Sequence, residues 1–169
     1  YRPDMVRYRE RLIKNFRPAP GLVLLLMPYP GEKPFSRTEL HDEFFSLLSS
    51  ALGPGWRSVH LCLYGPPFGL VPVEFDQVHP LSQFEFSAPE EAFYKPAGEI
   101  VEEYVASKPY SHVVLVSDGS RTADIVEEAC RRAALRRGLG LTVLREPEPW
   151  SRRALSRLFE KLSALLGSS

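Results

Sequence analysis

Cysteine is scarce in this chain: two among 169 residues, Cys62 and Cys130. Each stands alone inside a stretch patterned as a strand or a helix, so a disulfide scaffold is not expected. Buried reduced thiols and a cytoplasmic location are. Histidine is equally thin. His41, His60, His79 and His112 are scattered, without cysteine or carboxylate partners at ligand spacing, so no metal site is expected. No apolar run approaches the roughly 18 residues of a membrane span, and the basic opening segment has no hydrophobic stretch behind it, so neither a membrane partner nor a secretory signal is expected. Walker, GxGxxG and GxSxG elements are missing, and with them the usual signs of a bound nucleotide cofactor or a serine hydrolase; no cofactor is expected. Internal repeats and low-complexity segments are missing too. The chain opens on Tyr1 instead of methionine, which reads as a piece trimmed from something longer.

Net charge is also lacking, because 21 basic and 21 acidic residues cancel. The balance hides a segregation. Residues 1–20 carry +4, residues 21–130 carry −10 and residues 131–169 carry +6. Basic ends flanking an acidic body can meet a polyanion, or can be solvated helix faces.

What is present is a regular alternation. Residues 4–16 read as an amphipathic helix, and 17–20 (Arg-Pro-Ala-Pro) as a stiff link to a domain spanning 21–169. Strands are expected at 22–27, 58–64, 84–86, 112–117 and 141–144. Helices are expected at 37–52, 89–107 (interrupted near Pro96), 120–137 and 150–166, with a short one begun at Pro72. Ser36 and Glu39 have the spacing of a capping box, and Ser120 and Gly138 bracket a helix in the expected way. The alternation predicts a three-layer α/β/α sandwich on a mainly parallel sheet. Ligands would then gather where strands end, at the loops 28–36, 64–72 and 118–121.

Chemistry-bearing residues do collect there. Lys33, between Pro30 and Pro34, is a nucleophile, a phosphate clamp or a solvated charge. Thr38 brings a hydroxyl to a helix start, and His41 lies on the first turns beyond it, as a proton carrier or as a structural histidine. Asp118-Gly119-Ser120-Arg121 forms a strand-to-helix turn suited to a phosphate, or simply a capped loop. Gly65 to Gly69 is a Pro- and Gly-rich loop where Tyr64 and Phe68 could stack on a base or pack inward.

The run Pro28-Tyr29-Pro30-Gly31-Glu32-Lys33-Pro34-Phe35-Ser36-Arg37-Thr38-Glu39-Leu40-His41 resembles the Pro-Cys-x3-Lys-Pro-Tyr-x2-Ser/Thr-x2-His motif of the archaeosine synthase family of tRNA-modifying proteins. The spacing is kept, with Tyr29 at the cysteine position and Phe35 at the tyrosine position. Gly69-Leu70-Val71-Pro72-Val73-Glu74-Phe75, the opening helix and the Ile125 to Cys130 stretch are similar to further family segments. The resemblance implies action on tRNA in which the nitrile-bearing deazaguanine preQ0 occupies the D-loop, with an amine donor adding to the nitrile. It implies Lys33, Thr38 and His41 as catalytic residues, and Pro28, Tyr29, Pro34, Phe35, Gly69, Asp118, Ser120 and Arg121 as substrate-binding ones. Family members also carry transglycosylase-like and RNA-binding PUA regions, so a partner bearing these is expected beside tRNA. Since a phenol titrates near ~10 and is no thiolate, a catalytically degenerate paralogue that binds RNA or protein is the alternative. Pro28-Tyr29-Pro30-Gly31 and His79-Pro80-Leu81-Ser82 are similar to short pieces of uracil-DNA glycosylases. With Met27 where those enzymes carry their water-activating Asp, this implies a shared fold and not that activity.

Overall fold

A computed structural model describes residues 3–31, 35–65, 69–75 and 91–167. Along them run α1 (Pro3–Glu10), β1 (Val23–Pro28), α2 (Glu39–Leu52), β2 (Val59–Gly65), β3 (Gly69–Pro72), α3 (Glu91–Ser107), β4 (His112–Ser117), α4 (Arg121–Arg137), β5 (Gly140–Arg145) and α5 (Arg152–Gly167). The five strands form one sheet in the order β3-β2-β1-β4-β5, parallel except for the antiparallel edge pair β2 and β3.

β1 is central, and every one of its residues is buried. An unbroken Val-Leu-Leu-Leu-Met run suits that place, because a strand covered on both faces has no polar side to present. Leu24 and Leu26 join Val113 and Leu115 in a core beneath α1, α3 and α4. Val23, Leu25 and Met27 join Val114 and Val116 beneath α2 and α5. The three-layer α/β/α arrangement follows from these two cores. Each fully buried leucine contributes about 1.5–3 kcal/mol of burial free energy. Tyr8 and Leu12 of the opening segment belong to the first core, so this segment packs with the sheet.

Several elements depart from the sequence expectation. α1 widens into a π-helical turn at Arg11–Asn15, where the buried Lys108 ammonium donates to the carbonyls of Ile13 (2.9 Å) and Phe16 (2.5 Å). α2 starts at Glu39 with Thr38, not Ser36, as its N-cap, because a 3₁₀ turn at Phe35–Arg37 comes first and buries the Phe35 ring. Residues 69–72 form a strand, and the turn after Pro72 is a single 3₁₀ turn, Val73–Phe75. α3 runs through Pro96 without a break. The proline forgoes one helical hydrogen bond near the start, while the turns beyond it are buried along Ala97, Ile100, Val101, Tyr104 and Val105. The strand expected at 84–86 lies outside the described residues, as do Phe68 and His79. No helix among the described residues is long and apolar enough to cross a membrane.

The topology selects one place for a ligand. From β1 the chain moves outward to β2 and β3, then returns to β4 on the opposite side of β1. The carboxyl ends of β1 and β4 therefore flank a topological switch point, where open α/β sheets form their crevices. Residues 28–31 and 35 and the turn 117–120 border it.

Candidate functional site

The wall at the end of β1 is built by reciprocal hydrogen bonds. The Tyr29 amide donates to the Tyr64 carbonyl at 2.9 Å, continuing the β1–β2 ladder one residue past the strand. The Tyr29 hydroxyl then accepts the Phe35 amide proton at 3.2 Å, tying the two ends of the loop together. Trp150, from the connection between β5 and α5, donates its indole N–H to the Pro28 carbonyl at 2.9 Å. Its ring lies 5.2 Å from that of Phe35 and 5.5 Å from that of Phe44. Sequence reasoning placed Trp150 in the closing helix and missed this role; only the tertiary fold carries residue 150 back to residue 28.

Thr38 does two jobs at the start of α2. Its hydroxyl donates to the Phe35 carbonyl at 2.7 Å and accepts the His41 amide proton at 3.3 Å. That fixes His41 on the first turn, with its ring between Phe35 (5.3 Å) and Phe45 (4.8 Å) and its Nδ1 3.0 Å from an Asp42 carboxylate oxygen. Pro30, Thr38, Glu39, Leu40 and Glu43 line an open pocket of about 470 Å³ beside the same loop. Lys33 and Pro34 lie outside the described residues.

Across the switch point, Ser117 is buried and its hydroxyl accepts the Gly119 amide proton at 3.2 Å. Asp118 accepts from the Ser120 amide at 3.0 Å, and the Ser120 hydroxyl caps α4 by accepting from Ala123 at 3.1 Å. Arg121 stacks its guanidinium over the Tyr94 ring at 4.4 Å. The turn is thus internally bonded at Ser117, Asp118 and Ser120. Tyr64 donates its hydroxyl to the Val116 carbonyl at 2.7 Å, bridging β2 to β4 beneath β1. Burial, reinforced by the nearby Asp118 charge, pushes that phenol well above its usual range, so it stays a donor. Gly69 is buried against α3, where its backbone meets that of Ala97.

A second polar cluster, missed in the sequence, sits at the opposite end of the sheet. His60 bonds Tyr110 through Nδ1 (2.7 Å) and Glu74 through Nε2 (2.8 Å), and Tyr110 bonds Tyr104 (2.6 Å). Burial disfavours the imidazolium, but the Cys62 sulfur and the Glu74 carboxylate outweigh it and push His60 up to about 10. With both ring nitrogens engaged and Phe16 stacked on it, His60 braces the opening segment against the sheet. Among the described residues no group of His, Cys, Asp or Glu is placed to hold a metal ion.

The charge segregation seen along the sequence largely closes on itself in space. Arg132 and Arg136 pair with Glu102, Arg131 and Arg145 with Glu127, Arg9 with Glu103, and Arg157 with Glu146.

Residues 5–162 match the family described as a domain of unknown function, DUF5591. This chain is a DUF5591 domain. It is similar to the archaeosine synthase subunit alpha of Thermococcus kodakarensis, 30% identical over 109 residues, which is 64% of this chain and 19% of that protein. The Methanosarcina acetivorans protein of the same name is 25% identical over 99% of this chain and 26% of its own length. The archaeosine synthase of Haloferax volcanii is 24% identical over 75% of this chain and 21% of its own length. The DUF5591 domain thus spans about a quarter or less of these relatives, and a relationship to the archaeosine synthases is established over that part. No solved structure matches it.

Proposed function

We propose that this domain acts in the formation of archaeosine in tRNA, adding an amine donor across the nitrile of a preQ0 base held in the D-loop. The observation that carries the reading is the similarity of this chain, over 64% and 99% of its length, to two proteins named archaeosine synthase subunit alpha. The presence of Lys33, Thr38 and His41 at the matching motif positions supports it.

The reaction balances without a leaving group or an oxidant. The amine nitrogen forms a bond to the nitrile carbon, and one π pair of the triple bond moves to the nitrile nitrogen. That nitrogen takes up the proton which the amine gives up, and an amidine results. Nitriles are weak electrophiles, so a positioned proton carrier matters. His41 is that carrier in this reading, and Thr38 positions it through the helix cap. Lys33 supplies a cationic side chain for the nitrile or a neighbouring phosphate. Pro28, Tyr29, Pro34 and Phe35 shape the loop. Asp118, Ser120 and Arg121 border the crevice on the far side. The substrate is tRNA, and a transglycosylase-like or PUA-containing protein supplies the remaining RNA contacts.

One observation favours a second reading. Tyr29 puts a phenol where the resembling motif has a thiol, and its hydroxyl is already engaged with the Phe35 amide. A domain without that thiol would serve as a non-catalytic RNA- or protein-binding module.

Nucleoside mass spectrometry on preQ0-containing tRNA, incubated with the protein and candidate amine donors, separates the two. A mass gain with the wild type that is lost with Lys33→Ala supports nitrile addition. No gain with any donor, from protein shown to be folded, supports the binding module.

A further inference from the structure

We infer that Asp42 is a positioning residue that sets the tautomer of His41, leaving the His41 Nε2 as the proton-accepting atom of the site. What His41 does there rests on the function proposed above; how Asp42 acts on it rests on geometry. A carboxylate can only accept a hydrogen bond. At 3.0 Å from Asp42 Oδ1, the His41 Nδ1 is therefore the nitrogen that carries the proton. In a neutral ring Nε2 then holds the lone pair.

The rest of the surroundings hold the ring in that orientation. Its backbone amide is tied to the Thr38 hydroxyl at 3.3 Å. The Phe35 ring meets it nearly edge-on at 72°, and the Phe45 ring lies tilted against it at 56°. Among the described residues no group bonds Nε2. The Thr38 hydroxyl is engaged with backbone, donating to the Phe35 carbonyl and accepting from the His41 amide, and Asp42 is the group that meets Nδ1. His60 shows the opposite pattern, since Tyr110 and Glu74 engage both of its nitrogens and no lone pair is left to accept a proton. The Asp42 side chain is 84% exposed, so its bond to His41 orients the ring while adding little to folding stability. An Asp42→Asn variant is therefore expected to fold as the wild type does.

The test reads the tautomer directly. Long-range proton–nitrogen spectra of protein labelled with ¹⁵N-histidine are recorded at rising pH until the His41 signals stop moving, so that the neutral ring is the species observed. A His41→Asn sample assigns the signals. The wild type and Asp42→Glu should show His41 with its proton on Nδ1, and Asp42→Asn should move toward the other tautomer. In the tRNA assay, kcat should fall about tenfold in Asp42→Asn with KM for tRNA unchanged, and Asp42→Glu should restore most of it. Identical His41 spectra for wild type and Asp42→Asn, or a wild-type proton already on Nε2, would overturn the inference. If the wild type yields no modified nucleoside, the proposed function fails, and the spectra still decide the role of Asp42.

Discussion

The indole N–H of Trp150 reaches back across the chain to the carbonyl oxygen of Pro28, 2.9 Å away, and so anchors the end of the central strand to the start of the last helix. The same carbonyl has no amide of its own residue beside it, because residue 28 is proline. Trp150→Phe keeps the ring against Phe35 and Phe44 but strands the Pro28 oxygen. It should cost about 1 kcal/mol, whereas Trp150→Ala should cost about 3–5 kcal/mol. Urea denaturation of the two variants checks the order, and equal losses would place all of the effect in the N–H bond.

Two glycines with similar backbone angles should respond very differently to alanine. Gly69 has φ +83°, and a Cβ there would sit 2.7 Å from the Ala97 carbonyl oxygen. Gly138, the left-handed cap of α4 at φ +71°, faces open space. Gly138→Ala should cost about 1 kcal/mol from backbone strain alone, and Gly69→Ala about 2–4 kcal/mol because β3 must also move off α3. Thermal unfolding of the pair measures the difference.

The Glu74–His60 pair makes stability depend on pH from both sides. His60 is raised, so its contribution is whole below its ordinary value of 6.5 and fades as pH rises through about 10. Against burial, the bond and charge of His60 hold Glu74 below its ordinary 4.5, so that contribution is present above 4.5 and fades as pH falls. Wild type should exceed Glu74→Gln by about 1 kcal/mol near neutrality, a value already reduced for the half-exposed carboxylate. The gap should narrow toward either end. A gap that stays constant from about pH 3 to about pH 10.5 would remove the pair from the pH dependence.

Both described cysteines are buried, and burial, with the Glu127 charge behind it, pushes the Cys130 thiol up to about 12. A thiol reagent such as Ellman's should modify neither in the folded protein and both in denaturant. Rapid reaction of one thiol under native conditions would mean that its core opens locally.

Legibility in the sequence followed how local each cause was. β4 and α4 were readable because an apolar run, a serine cap and a terminal glycine act within a few residues. The cap of α2 was misplaced by two residues, since Ser36 and Thr38 both qualify locally and only the burial of Phe35 decides between them. β3 was missed because Gly69 and Pro72 are poor strand formers, held in place by pairing with β2 and contact with α3. At the site, Thr38 and His41 were visible from spacing, while Trp150 and Asp42 were not. The first arrives over a separation of 122 residues, and the second matters only once the His41 ring has been turned toward it.

Glu102 and Glu127 each answer to two arginines, Arg132 with Arg136 and Arg131 with Arg145. Neutralising Glu127 therefore releases two guanidiniums at once, and neutralising Glu102 releases Arg136 while Arg132 keeps its 3.2 Å pair with Glu128. One or two Glu→Gln changes would turn a self-neutral flank of this domain into a basic strip able to hold a polyanion, a gain that later elution from heparin would register. The acidic residues of α3 and α4 thus keep this flank from presenting bare positive charge.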